Sequence, residues 1–304
     1  MLSEYAISEV DELSTSIAGL DIEYVRTDEG TGPNRVTCAE TSDFVLSLGR
    51  MGFSATANTE IPDGLVVIGL ITRAASGGSW CGTDLEAGQL FVFTPGTTFV
   101  AAEPAGLAGT LLSVPVDSLA NAGEQLGIGE PLLRRSVLPV SHRPEVARLV
   151  ADLWAATAQP DVVEDVSASA ALLENVARAL ADVGGQPAAA MRRLDRRTIV
   201  SDCLEFVESS GSNRPAMGDL CRASNASLSS VRQAFVEVFD MPPTQYFQYR
   251  QLNELRVELL RADPHDETVT RIASSLGVTH LGRTSGRYRA LFGEVPSQTL
   301  LCTA

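Results

Sequence analysis

Residues 269–297 read VTRIASSLGVTHLGRTSGRYRALFGEVPS, and the chain carries the same pattern once before. Tyr288, Phe292, Gly293 and Pro296 repeat Phe235, Phe239, Asp240 and Pro243 at a spacing of 53. Upstream, Ile272, Ala273 and Gly277 repeat Leu220, Cys221 and Asn225 at a spacing of 52, so the second copy holds one extra residue near its turn. Each copy reads as a short amphipathic helix, a tight turn, a second helix with an aromatic on its inner face, and a Pro-marked exit. Such a helix–turn–helix presents its second helix to the major groove of DNA. Two copies in tandem imply two groove contacts from one chain.

Helical spacing separates the faces of the two second helices. Over about 280–291, Thr284, Tyr288 and Leu291 share the core face, while Arg283, Gly286 and Arg287 lie opposite, with His280 at the leading end. Over about 227–238, Val231, Phe235 and Val238 turn inward and Ser229, Ser230, Arg232 and Gln233 turn outward. Ser227 and Thr279 stand where a hydroxyl caps the helix start and can take a phosphate there. The expected DNA-facing set is therefore Ser227, Ser229, Ser230, Arg232, Gln233, Thr279, His280, Arg283 and Arg287.

Around these anchors the sequence resembles the AraC/XylS family of bacterial transcription regulators. Asp219-Leu220-Cys221, Ser227, Val231, Phe235 and Val238 to Tyr246 follow the family's leucine–alanine helix, its Ser-opened recognition helix and its Phe-Gly-x-x-Pro-x-x-Tyr exit. Ile272-Ala273, Gly277, Thr279-His280, Tyr288-Arg289, Phe292-Gly293 and Pro296-Ser297 follow its second motif, and Tyr246–Leu260 is similar to its long connecting helix. The resemblance covers roughly residues 195–300. It implies operator DNA and RNA polymerase as partners, with the two recognition helices held about one helical turn, roughly 34 Å, apart. Four positions depart from the pattern. Asp240 replaces a Gly, Ser229 stands where Arg is frequent, and Val278 and Thr284 occupy positions that are normally Phe. A buried, unpartnered Thr284 hydroxyl would cost on the order of 1–3 kcal/mol, so a less rigid second copy is expected.

The chain has 304 residues and a formal net charge of −15, which alone argues against a nucleic-acid partner. The charge is unevenly placed. Residues 1–190 hold nine Arg against 25 acidic residues, whereas residues 191–304 hold 14 Arg against 13. All 23 basic residues are Arg, the side chain suited to bidentate phosphate and guanine contacts. Cys38, Cys81, Cys203, Cys221 and Cys302 are odd in number and lack C-x-x-C spacing, so reduced thiols are expected. The acidic start lacks the pattern of a signal peptide and no apolar run approaches membrane-spanning length. A cytoplasmic protein without a membrane contact is the expectation. No paired carboxylates, nucleophile elbow or phosphate loop marks an enzyme, and no cofactor is expected.

The front half alternates short apolar strands with Gly/Pro turns. Asp21–Arg26, Asp43–Leu48, Leu65–Ile71, Gln89–Phe93 and Gly109–Val114 are the strand candidates, as expected of a small barrel or sandwich. Glu86 to Phe99 is similar to the cupin-like sensing domain of many AraC-family proteins. Metal-dependent cupins cluster histidines inside the barrel, but His142, His265 and His280 all lie outside these strands, so no metal site is expected. A small-molecule effector is expected at Arg73, Trp80, Phe91, Phe93 and Phe99, with Trp80 on a loop and Arg73 as a charge for an acidic ligand. Helices over 143–158 and 167–183 carry the stripe Leu172, Leu173, Val176 and Leu180, which packs on the barrel or pairs two copies as a homodimer.

The expected architecture is α+β. A cupin-like sensing and dimerisation domain (1–184) leads through a linker (185–194) to a double helix-turn-helix domain (195–304). The expected function is an effector-controlled, sequence-specific transcription regulator. The alternative is a cytoplasmic ligand-binding or protein-interaction module with a degenerate DNA-binding domain.

Overall fold

The computed structural model describes residues 2–16, 20–30, 32–128, 138–140, 144–159, 165–183, 191–210 and 215–302. Its front half holds two antiparallel sheets. The first runs β1 (Leu2–Ile7), β3 (Asn34–Glu40), β4 (Val45–Arg50), β11 (Ala108–Pro115), β6 (Leu65–Arg73), β9 (Leu90–Phe93), β12 (Leu138–Val140). The second runs β2 (Glu23–Arg26), β5 (Ala55–Glu60), β10 (Thr98–Glu103), β7 (Ser79–Trp80), β8 (Thr83–Asp84). Helices α1 (Val10–Ser16), α2 (Val116–Leu126), α3 (Pro144–Ala158) and α4 (Val166–Val183) accompany them. The back half is helical: α5 (Met191–Ser210), α6 (Met217–Ala223), α7 (Leu228–Phe239), α8 (Pro243–Arg261), α9 (Val269–Ser275), α10 (Leu281–Phe292) and α11 (Pro296–Leu301). Residues 185–190 of the expected linker lie outside the described residues, and its last four positions already belong to α5.

Strand alternation builds the layers. In β6, Val66, Ile68 and Leu70 face one way and Val67 and Ile71 the other, all buried, as in a strand packed on both sides. The first set joins Leu46, Leu112, Leu149, Leu153, Val176 and Leu180 in a core between the first sheet and α3/α4. The Leu172, Val176, Leu180 stripe thus packs against its own sheet. The second set joins a core between the sheets that includes Phe53, Trp80, Phe91, Phe93 and Phe99. That core continues through the second sheet into Val200, Leu204, Val231, Phe235 and Tyr246, so the first helix-turn-helix rests directly on the barrel. A separate core, with Leu255, Leu259, Ile272, Tyr288 and Leu291, serves the second.

All five expected strands are present. The strands that periodicity missed include β5, whose sequence ATANTE has no large apolar side chain. It lies inside the second sheet with Ala55, Thr56 and Ala57 buried, where neighbours on both faces leave room only for small residues.

Candidate nucleic-acid interface

In the first helix-turn-helix, α6 ends at a turn where Asn225 takes φ 49°, a left-handed conformation that Asn tolerates better than most residues. Ser227 then caps α7, accepting the Ser230 amide at 3.1 Å. Its hydroxyl also lies 2.9 Å from Ser229 Oγ and 2.8 Å from Ser230 Oγ, so the three serines form one hydroxyl cluster at the helix start. Val231, Ala234, Phe235 and Val238 are buried, and Phe239 stacks on Tyr246 at 4.7 Å. Arg232 and Gln233 are exposed on the opposite face. Gln233 Nε2 donates to Glu237 at 3.2 Å, and Glu237 in turn pairs with Arg196 at 3.1 Å. Asp240 closes the helix at φ 55°, doing the backbone task of the glycine it replaces.

The second copy repeats this with glycine at both special positions, Gly277 at φ 71° and Gly293 at φ 78°. Thr268 caps α9, accepting the Arg271 amide at 3.3 Å. The cap position of α10 belongs to His280, without a side-chain hydrogen bond. Thr279, expected there, stands one residue earlier and exposed: the extra residue of this copy lengthens the turn. Arg283, Gly286 and Arg287 are exposed, while Tyr288 and Leu291 are buried. Thr284 is only partly buried, so its hydroxyl is not sealed from water and the expected penalty falls away. Arg287 also borders a groove of about 440 Å³ between α10 and α8, with Gln245, Gln248, Tyr249 and Leu291.

Helix α8 joins the two motifs and holds both to the barrel. Pro243 starts it; Tyr246 and Phe247 enter the first core and Leu252, Leu255 and Leu259 the other. At 19 residues it is about 28 Å long. Asn253 clasps the free edge of β2: its Oδ1 accepts the Arg26 amide at 3.0 Å and its Nδ2 donates to the Arg26 carbonyl at 2.9 Å. Arg256 reaches both Glu9 oxygens, at 2.6 and 2.8 Å, and Glu294 at 2.9 Å. Burial opposes the charge of Arg256, but Glu9, Tyr288 and Glu294 together outweigh it and raise the guanidinium pKa. Arg250 pairs with Glu23 at 3.0 Å and Arg261 with Asp11 at 3.6 Å. Ser79 Oγ donates to the Val238 carbonyl at 3.0 Å, anchoring the end of α7.

The arginines are thereby sorted. Those of α8 are bound to acidic residues of the front half. Arg232, Arg283, Arg287 and Arg289 have no carboxylate partner among the described residues, and all four lie on the exposed faces of α7 and α10. Three front-half carboxylates, Glu9, Asp11 and Glu23, are thus directed at α8 and not at those helices.

Inside the barrel, Trp80 is not on a loop. It pairs with Ala101 in β7, is 3% exposed, and lies 5.2 Å from Phe91 and 5.6 Å from Phe99. Phe93, 6.1 Å from Trp80, completes this cluster. A Cβ on Gly69 would come within 2.3 Å of the indole, so glycine is what lets the ring lie against the first sheet. Beside it is a narrow cavity of about 50 Å³, lined by Tyr24, Asn34, Gly49, Trp80, Glu103 and Leu111 among others. Phe91, Phe93 and Phe99 are core behind Trp80 and do not line it. Arg73 is exposed at the end of β6 and is likewise absent from the lining. The polar groups there, Tyr24, Asn34 and Glu103, were missed because sequence does not say which strands face each other across the barrel. Among the described residues no group of three His, Cys, Asp or Glu is placed to hold a metal, and no helix is long and apolar enough to cross a membrane.

Residues 220–301 match the helix-turn-helix domain family. The probable thc operon regulatory protein of Rhodococcus erythropolis is 30% identical over 102 residues, 34% of this chain and 31% of its own length. The XylDLEGF operon transcriptional activator of Pseudomonas putida is 30% identical over 97 residues, 32% of this chain and 30% of its own. The match thus spans about a third of either relative. Among solved structures, that of the AraC-like transcriptional activator CuxR is similar over 85% of this chain and 96% of its own, at 17% identity and a TM-score of 0.42.

Proposed function

We propose that this chain, whose C-terminal domain is of the AraC/XylS helix-turn-helix type, is a sequence-specific DNA-binding transcription regulator controlled by a small molecule bound in the N-terminal barrel. The observation that carries the reading is the sorting of the arginines. Guanidiniums without carboxylate partners are found on the exposed faces of α7 and α10, where phosphates and guanines would meet them. Each recognition helix enters a major groove, with the serine cluster of α7 taking a phosphate and Thr279 and His280 doing so at α10. Effector binding acts through the front half, because β2, α1 and Glu9 just before it carry the groups that hold α8. A cytoplasmic, non-enzymatic protein acting as a homodimer and contacting RNA polymerase completes the reading, with 1–184 as sensing domain and 195–304 as reading domain.

Selection of duplexes from a random library by the full chain tests it. Enrichment of one sequence, bound with an affinity that falls steeply as salt rises, is the expected result. Binding that is absent or indifferent to sequence would instead favour a ligand-binding or protein-interaction module.

A further inference from the structure

Glu103 is buried in the barrel, 7% exposed, and borders the cavity between the sheets. One of its oxygens accepts the Trp80 indole N–H at 2.9 Å, and no cation among the described residues pairs with it. Burial pushes its carboxyl up to about 7, with the Trp80 bond opposing. Tyr24 is the titratable side chain that faces it, and burial and the charge of Glu103 raise the Tyr24 phenol well above its usual range. A largely buried carboxylate without a cation is unfavourable unless something pairs with it. On the same cavity one buried polar group is unsatisfied. Asn34 is 0% exposed; its Oδ1 accepts the Gly52 and Phe53 amides at 2.7 and 3.3 Å, while its Nδ2 has no partner.

The register explains why space remains here. Gly49 of β4 and Gly109 of β11 stand directly opposite each other and both line the cavity, so two adjacent strands contribute no side chain. In the second sheet Tyr24, Ala57, Ala101 and Trp80 form one cross-strand row, with rings at its ends and methyl groups between. Leu13, Val36, Met51, Leu107 and Leu111 supply the apolar remainder. Arg35 and Arg50 border the mouth, but they are exposed, and strand alternation sends their side chains to the face opposite Val36 and Gly49.

We propose that this cavity binds a small organic amine, with the Glu103 carboxylate as its counter-ion, the Trp80 and Tyr24 rings as its walls, and Asn34 Nδ2 as donor to an acceptor atom of the ligand. An ammonium group held between a carboxylate and aromatic faces gains both the charge pair and the cation–π attraction in a site shielded from water. The narrow volume limits the ligand to a few heavy atoms. That the amine acts as an effector rests on the regulator reading; that it binds does not.

The test uses the full chain with Trp154→Phe, which leaves Trp80 as its one tryptophan, and three probes on the same branched four-carbon skeleton: isobutylamine, isobutanol and isobutyrate. Fluorescence and calorimetric titrations are expected to show isobutylamine binding at least tenfold tighter than the other two. Glu103→Gln keeps an acceptor for the indole but removes the charge, and should abolish that preference. Gly49→Val, whose Cβ would have only the Gly109 carbonyl oxygen near it, at 4.0 Å, should block all three probes while leaving the melting temperature near that of the parent. Tightest binding of isobutyrate would assign the site to Arg35 and Arg50 and overturn the proposal. Equal affinities, no binding, or an unchanged preference in Glu103→Gln would overturn it too. DNA affinity measured on the same samples keeps the two readings apart: sequence-specific binding without amine preference defeats only this one.

Discussion

At the scale of single residues, the turn positions were legible and the cavity was not. The repeat aligned Asn225 with Gly277 and Asp240 with Gly293, and all four have positive φ. Local backbone demand leaves a local mark. Arg73 and Trp80 were singled out by their neighbours in sequence, whereas the cavity is set by strands distant in sequence that face each other. Arg283 lies bare on α10, and Arg283→Ala is expected to weaken binding to the selected DNA by about 1–3 kcal/mol if it reads a base. Unchanged affinity at fixed salt would remove it from the interface. Glu103 offers a test through pH. Its carboxyl titrates from 4.5 when unfolded to about 7 in the fold, so the native chain holds an extra proton between these values. Stability from this group therefore falls as pH rises from about 4.5 to about 7 and is level beyond. Glu103→Gln should match the parent near pH 4 and exceed it at pH 8 by at most about 3 kcal/mol, measured by urea unfolding. A gap that does not widen with pH would contradict that burial.

At the scale of elements, helices were easier to read than strands. Periodicity placed α3, α4, α7 and α10 within a residue or two, because each buries large side chains at helical spacing on one face. Strands β5 and β10 escaped, since β5 buries only small side chains and β10, TFVAAE, is buried on both faces, so neither gives an alternating signal. The role of α8 was only half visible. Its length and place between the repeats were read, but nothing local announced that Asn253 would complete the edge of β2. Asn253→Ala leaves the Arg26 amide and carbonyl without partners in a half-buried seam, an expected loss of about 1–3 kcal/mol. Hydrogen exchange should show the Arg26 amide losing protection while the core strand β6 keeps its own. If Arg26 remains protected, the clasp does not hold α8 to the barrel.

At the scale of the whole molecule, the acidic front and the Arg-bearing back are complementary rather than merely adjacent. Glu9, Asp11 and Glu23 hold Arg256, Arg261 and Arg250 on one side of α8. Within the back half, Arg232 on α7 and Arg283, Arg287 and Arg289 on α10 have no carboxylate partner among the described residues. The back half by itself is near neutral, with 14 Arg against 13 acidic residues over 191–304, so the net charge of −15 does not count against the proposed DNA contact there. The two helix-turn-helix units differ in support, the first sharing the barrel's core and the second having its own. The central claim is that both read DNA from one chain. Hydroxyl-radical footprinting of the full chain on its selected DNA, repeated with Arg232→Ala and with Arg283→Ala/Arg287→Ala, tests it most directly. The account predicts two protected segments about one helical turn apart, one fading with Arg232→Ala and the other with the double substitution. A single protected segment, or a footprint that fades as a whole with either variant, would contradict it.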